Sequence, residues 1–159
     1  MSDKCWYDEV AFPALLRLGR NAYATVIGAA LADAGCDDIP RNGIYVIGAI
    51  ARMGAPLGQI VKDLRVSKQA AGQLVDTLVL RGYLERAVDA DDRRRLTLSL
   101  TERGLAAAAA SRAAVERLDA ELADRIGPIY VGHARAVLGA LVAIDHAKLA
   151  DRADSEVSN

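Results

Sequence analysis

A chain of 159 residues that is 52% hydrophobic but only 4% aromatic can bury one sizeable core, filled by Leu, Val, Ile and Ala rather than by rings. Its formal net charge of −1 excludes a histone-like, globally basic binder, so any nucleic-acid contact must come from where the charge sits. Cys5 and Cys36 cannot make a disulfide framework, MSDKCWYDEV lacks the regions of a signal peptide, and no apolar run approaches the roughly 20 residues that span a bilayer. These features point to a cytoplasmic protein without a membrane partner.

From Pro13 onward, Leu15, Leu16, Gly19, Tyr23, Val26, Ile27, Ala30 and Leu31 recur at three- and four-residue steps, which predicts a helix stopped by Gly35. Cys36 to Pro40 reads as a loop, and a second helix is expected from Pro40 to Met53. Gly54-Ala55-Pro56 breaks the chain, with Pro56 suited to the first position of a short helix whose apolar stripe is Leu57, Ile60, Val61 and Leu64. After a turn at Arg65-Val66, Ser67 is a good N-cap for the next helix. In that helix Ala70, Ala71, Leu74, Val75 and Leu78 are expected to face inward, with Lys68, Gln69, Gly72, Gln73 and Asp76 opposite them.

Gly82 ends that helix, and the period changes. Leu84, Arg86 and Val88 alternate with Glu85 and Ala87, then Leu96, Leu98 and Leu100 with Thr97 and Ser99, the signature of two half-buried strands. Between them, Asp89-Ala90-Asp91-Asp92-Arg93-Arg94-Arg95 puts acids and then three arginines at a hairpin tip. Thr101 should cap a long helix through the alanine run Ala106 to Ala110, with a near-heptad seam at Ala108, Ser111, Val115, Leu118, Leu122 and Ile126. Gly127-Pro128 separates it from a last helix to about Arg152, where Val137, Leu138, Leu141, Val142 and Ile144 form a wide apolar face. The tail DRADSEVSN is expected to fray. One small lobe would not cover the apolar faces of the first helix and the last two, so a homodimer is expected.

Helix, short turn, capped helix and charged hairpin together describe a winged helix-turn-helix. A small polar helix face fits the major groove, where Gln69 and Gln73 carry the amide that pairs with adenine, Lys68 can reach guanine or phosphate, and Ser67 can meet phosphate from the cap. A ribbon projecting guanidinium groups can pair with phosphates. The competing reading is a solvated helix face and a solvated hairpin, and the adjacency of the two elements favours DNA. Between Lys62 and Arg95 eight basic residues stand against six acidic ones, a weak asymmetry in the same direction.

The motifs Val66-Ser67-Lys68-Gln69 through Asp76, Arg81 through Arg86, and Asp92-Arg93-Arg94-Arg95 through Leu100-Thr101-Glu102-Arg103-Gly104 resemble the MarR family of bacterial regulators. The resemblance implies a mainly α fold with a small β-hairpin wing. It divides the chain into a dimerisation helix at 1–36, a winged helix-turn-helix lobe at 37–104 and dimerisation helices at 105–159. It further implies a homodimeric repressor on a double-stranded, pseudo-palindromic DNA operator. Arg94 would be the minor-groove arginine, Asp92 the carboxylate that holds it, and Arg93 and Arg95 phosphate contacts. Arg65 departs from the family, which often has Gly in that turn.

The family also implies a small phenolic or lipophilic effector between the DNA-binding lobe and the dimerisation helices. Trp6, Arg17, Tyr23 and Tyr45 are candidate lining residues, and the same four also read as ordinary core or surface groups. No phosphate loop, serine elbow or oriented nucleophile supports an enzyme, and no cofactor is implied. Cys5, Cys36, His133 and His146 offer no close ligand pair, so no metal site is expected. Two other readings stand beside the regulator: a winged helix that binds protein rather than DNA, and a redox sensor acting through Cys5.

Overall fold

The computed structural model describes residues 5–40, 42–53, 66–88 and 96–157. The expected short helix at 57–64, the Arg65 turn and the arginine-bearing tip at 89–95 lie outside the described residues. Two compact units divide the chain, Met1–Glu116 and Arg117–Asn159.

In the first unit a 3₁₀ turn, Trp6–Glu9, precedes α1, Phe12–Asp33, whose opening turn holds Pro13. α1 stops where the sequence predicts. Gly35 takes φ 68°, the Gly35 N–H donates to Ala32 O at 3.0 Å, and the Cys36 N–H donates to Leu31 O at 2.8 Å, a Schellman closure. α2 spans Gly43–Met53 and so begins three residues later than expected. Asn42 sits at φ 67°, outside the helical range, while the Gly43 N–H bonds Pro40 O at 2.8 Å in a turn.

α3, Lys68–Leu80, is capped as expected, with Ser67 Oγ accepting from the Ala70 N–H at 3.1 Å. Ala71, Val75 and Leu78 are buried and Leu74 is half-buried, but Ala70 is exposed, which corrects its expected inward placement. One turn of α-helix gives the core to the stripe at 71, 74, 75 and 78, and a residue 100° away from Ala71 falls outside it. Gly82, at φ 72°, closes α3 as Gly35 closes α1: the Tyr83 N–H donates to Leu78 O at 2.9 Å.

β1, Leu84–Val88, pairs antiparallel with β2, Leu96–Leu100, from Leu84↔Leu100 to Val88↔Leu96. Thr101 then starts α4, Glu102–Ile126, its Oγ1 accepting from the Gly104 N–H at 3.1 Å. Beneath these elements lies one core of Leu31, Val46, Ile47, Ile50, Val75, Leu78, Tyr83, Leu84 and Ala107 among others. Burying a Leu or Ile side chain stabilises by about 1.5–3 kcal/mol, so Ile47, Leu78 and Leu84, each almost fully enclosed, pin α2, α3 and β1 together.

In the second unit α4 runs to Ile126, and α5 follows over Pro128–Val157 after Gly127 at φ 91°. α5 extends past Arg152, where fraying was expected; that stretch has neither Gly nor Pro to stop it. Arg135 bonds Asp119 at 2.6 Å and Arg125 bonds Glu121 at 2.5 Å. Ile129, Tyr130, Val137, Leu138, Leu141, Val142 and Ile144 are all exposed. No single helix among the described residues is long and apolar enough to cross a membrane.

Candidate nucleic-acid interface

The burial of Ala71, Val75 and Leu78 turns the other side of α3 outward, and Ser67, Lys68, Gln69 and Gln73 are all exposed on it. Gln69 and Gln73 are one turn apart and share a face. Ser67 is extended, at φ −63° and ψ 153°, before the helix starts, so the first N–H groups of α3 lie at the end of the helix that also carries Lys68. This end of the helix suits an anion, and its amides suit base edges.

The ribbon stands directly on α3. Arg86 of β1 is ion-paired to Asp76 of α3, and across the ribbon Ser99 Oγ donates to Glu85 Oε1 at 3.0 Å. Val88 and Leu96 form the last described pair before the stretch that carries Asp92, Arg93, Arg94 and Arg95. Those four lie outside the described residues, so only the ribbon that bears them is placed.

At the ribbon's foot is a cluster that local sequence reading misses. Tyr83, fully buried, donates its hydroxyl to Asp38 in the loop after α1. Arg103 of α4 bonds Asp38 Oδ1 at 2.9 Å, Arg81 O at 2.6 Å and Gly35 O at 3.2 Å, and its guanidinium lies 4.3 Å from the Tyr83 ring centroid. The Tyr83 hydroxyl and the Arg103 charge hold the Asp38 carboxyl below the usual aspartate range, against a smaller opposing effect of desolvation. Burial, with the bond to Asp38, pushes the Tyr83 hydroxyl well up. Sequence separations of 45 and 65 residues leave no local signal for these contacts.

Behind α2 lies a cavity of about 630 Å³, walled by α1, the loop after it and α2. Tyr23 and Tyr45 line it together with Arg20, Cys36, Asp37 and Ile39. Trp6 and Arg17 do not: Trp6 is 70% exposed on the N-terminal turn, edge-on to Tyr7, and Arg17 lies on the outer side of α1. Cys36 is buried in the cavity wall, whereas Cys5 is exposed. Among the described residues no group of three or more His, Cys, Asp or Glu side chains could hold a metal ion.

A capped helix with an outward polar face, joined to a two-stranded ribbon and backed by helices, defines the winged helix-turn-helix class. The comparisons agree. The chain resembles the crystal structure of MarR at 19% identity and a TM-score of 0.66, over 87% of this chain and 95% of that one. It resembles a Staphylococcus aureus MepR–DNA complex at 18% identity and 0.59, over 83% and 98%, and MepR bound to ethidium bromide at 20% and 0.56, over 86% and 97%. No curated protein sequence matches. The MarR family model matches residues 37–95, so that lobe is similar to the MarR family.

Proposed function

We propose that the protein is a homodimeric, ligand-responsive repressor that binds a pseudo-palindromic operator, with a copy of α3 in each of two successive major grooves. The observation that carries this reading is the outward face of α3, where Ser67, Lys68, Gln69 and Gln73 stand free of the core at a capped helix start. Gln69 and Gln73 read base edges, Lys68 and Ser67 position the helix on the backbone, and the ribbon brings Arg94 to the adjacent minor groove with Asp92 as its partner. Arg93 and Arg95 pair with phosphates. MepR has been solved with DNA, which supports the same use of this fold here. The cytoplasm, where the genome is accessible, is the matching location.

The dimer reading rests on the second unit, where the exposed apolar residues of α5 form a face that a second copy would cover. In this division of labour residues 1–36 and 105–159 dimerise and 37–104 binds DNA. Effector binding falls to the cavity at Tyr23 and Tyr45, whose two phenol rings and apolar wall suit a small aromatic or lipophilic compound. MepR with ethidium is a relative of this fold holding such a compound. An occupant shifts operator affinity to the extent that it prefers one spacing of the two α3 helices.

Selection of bound duplexes from a random DNA library tests the reading. A pseudo-palindromic consensus, retained in a salt-dependent way by a species of twice the chain mass in sedimentation, is the expected result. Recovery of unrelated sequences, or tight operator binding by a clean monomer, overturns it.

A further inference from the structure

The loop after α1 has two jobs. Cys36, Asp37 and Ile39 line the cavity, while Asp38, among them, is bonded to Tyr83 and Arg103. Arg103 in turn holds the carbonyl of Arg81, which caps α3, and the carbonyl of Gly35, which closes α1. Tyr83 follows Arg81 by two residues, and its own carbonyl accepts from the Thr101 N–H at 3.2 Å, where β2 passes into α4. One side-chain cluster therefore joins the cavity wall, the end of α3 and both feet of the ribbon.

We propose that Arg103, with Asp38 and Tyr83, is a positioning clamp that transmits displacement of the cavity wall to the recognition helix and the wing. The inference rests on the reading of α3 as the DNA-reading helix and of the cavity as its control site. If the loop moves while the clamp stays behind, the buried Tyr83 hydroxyl loses its acceptor and Asp38 loses its cation. Leaving a buried hydroxyl unpaired is expensive in a low-dielectric core, so the Arg81–Tyr83 turn follows the loop instead of releasing it. The guanidinium suits this task because its rigid fork reaches Asp38, Gly35 and Arg81 at once, which a lysine ammonium on a flexible stem cannot reproduce. Pure core packing would hold the same elements together, but it would tolerate sliding that directional bonds resist.

The test fills the cavity instead of relying on an unidentified effector. Ile27→Trp places an indole in the cavity; Ala24→Trp, on the same wall, substitutes for it if that chain does not melt cooperatively. Each is combined with Tyr83→Phe, which removes only the hydroxyl, and with Arg103→Lys. Binding of the library-selected duplex should weaken about tenfold on cavity filling when the clamp is intact and less than about twofold when it is broken. Amide hydrogen exchange at Arg81–Tyr83 and Thr101 reads the same cycle without DNA: filling should speed exchange there only in the intact clamp. Equal effects in all backgrounds, or none in the otherwise wild-type chain, overturn the clamp. A wild-type chain that retains no duplex overturns the DNA reading instead, and the exchange cycle still decides the clamp.

Discussion

Asp76 on α3 and Arg86 on β1 form an ion pair, so a carboxylate and a guanidinium bridge α3 and the first strand of the ribbon. Their side chains are 62% and 47% exposed, and a surface pair of this kind contributes only about 0.2–1 kcal/mol. Its effect is on orientation more than on stability, because it fixes the angle at which the ribbon leaves the helix. A double-mutant cycle with Asp76→Asn and Arg86→Gln should give a coupling of about 1 kcal/mol or less in thermal melting, shrinking with added salt. A coupling of several kcal/mol would contradict the exposure of the pair.

Gly104, in the first turn of α4, is fixed by a close approach rather than by an unusual φ. A Cβ at this position would lie 2.1 Å from the Tyr83 carbonyl oxygen and 3.1 Å from Leu100 Cδ2. Gly104→Ala gains about 0.5–1 kcal/mol in helix propensity. It loses about 1–3 kcal/mol or more to overpacking, and because the obstacle is backbone the loss prevails. The variant should melt below the wild type in calorimetry.

The lowered carboxyl of Asp38 gives a signed pH dependence. Its folded pKa lies below the unfolded value, so the Tyr83 and Arg103 contacts contribute stability above the unfolded pKa of about 3.9. That contribution fades as pH falls through the folded pKa. The melting temperatures of wild type and Asp38→Asn should therefore differ most near neutrality and converge as acid protonates Asp38. A gap that widened in acid would mean that Asp38 is not the charged partner of this cluster.

What was legible in the sequence was local. Ser67 as cap, Gly35 and Gly82 as stops, and the strand at 96–100 each depend on neighbours within a few residues, and each stands in the structure as read. The outward Lys68, Gln69 and Gln73 followed from the same helical period that buries Val75 and Leu78. Ala70 is exposed instead of inward, because it lies outside the stripe at 71, 74, 75 and 78. The Asp38–Tyr83–Arg103 cluster was not legible, since it joins three elements far apart in the chain. Tyr23 of α1 and Tyr45 of α2 line one cavity although they are far apart in the chain, while Trp6 and Arg17 do not line it.

Base reading by α3 predicts sequence-specific, not uniform, losses. Gln69→Ala or Gln73→Ala should relax preference by about 1–3 kcal/mol at particular base pairs of the selected duplex. Ser67→Ala removes the acceptor of the Ala70 N–H as well as the proposed phosphate contact, and should cost about 1 kcal/mol of folding stability. Its binding is therefore compared only where melting shows it folded. Full selectivity in both glutamine variants would move base reading elsewhere on the helix.

The wing separates two mechanisms by sign. Arg94→Ala should weaken operator binding markedly, leave fold and dimer intact, and flatten the salt dependence if the arginine displaces counterions. Asp92→Ala should do part of the same damage if that carboxylate holds Arg94 in the narrow minor groove, where negative potential is concentrated. Charge arithmetic alone says the reverse, since removing an acid beside three arginines makes the tip more cationic. Titrating both variants against operator and unrelated duplex at several salt concentrations decides between them. Tighter binding by Asp92→Ala on both duplexes would reduce the wing to a loose cationic contact, and specificity would then rest on α3 alone.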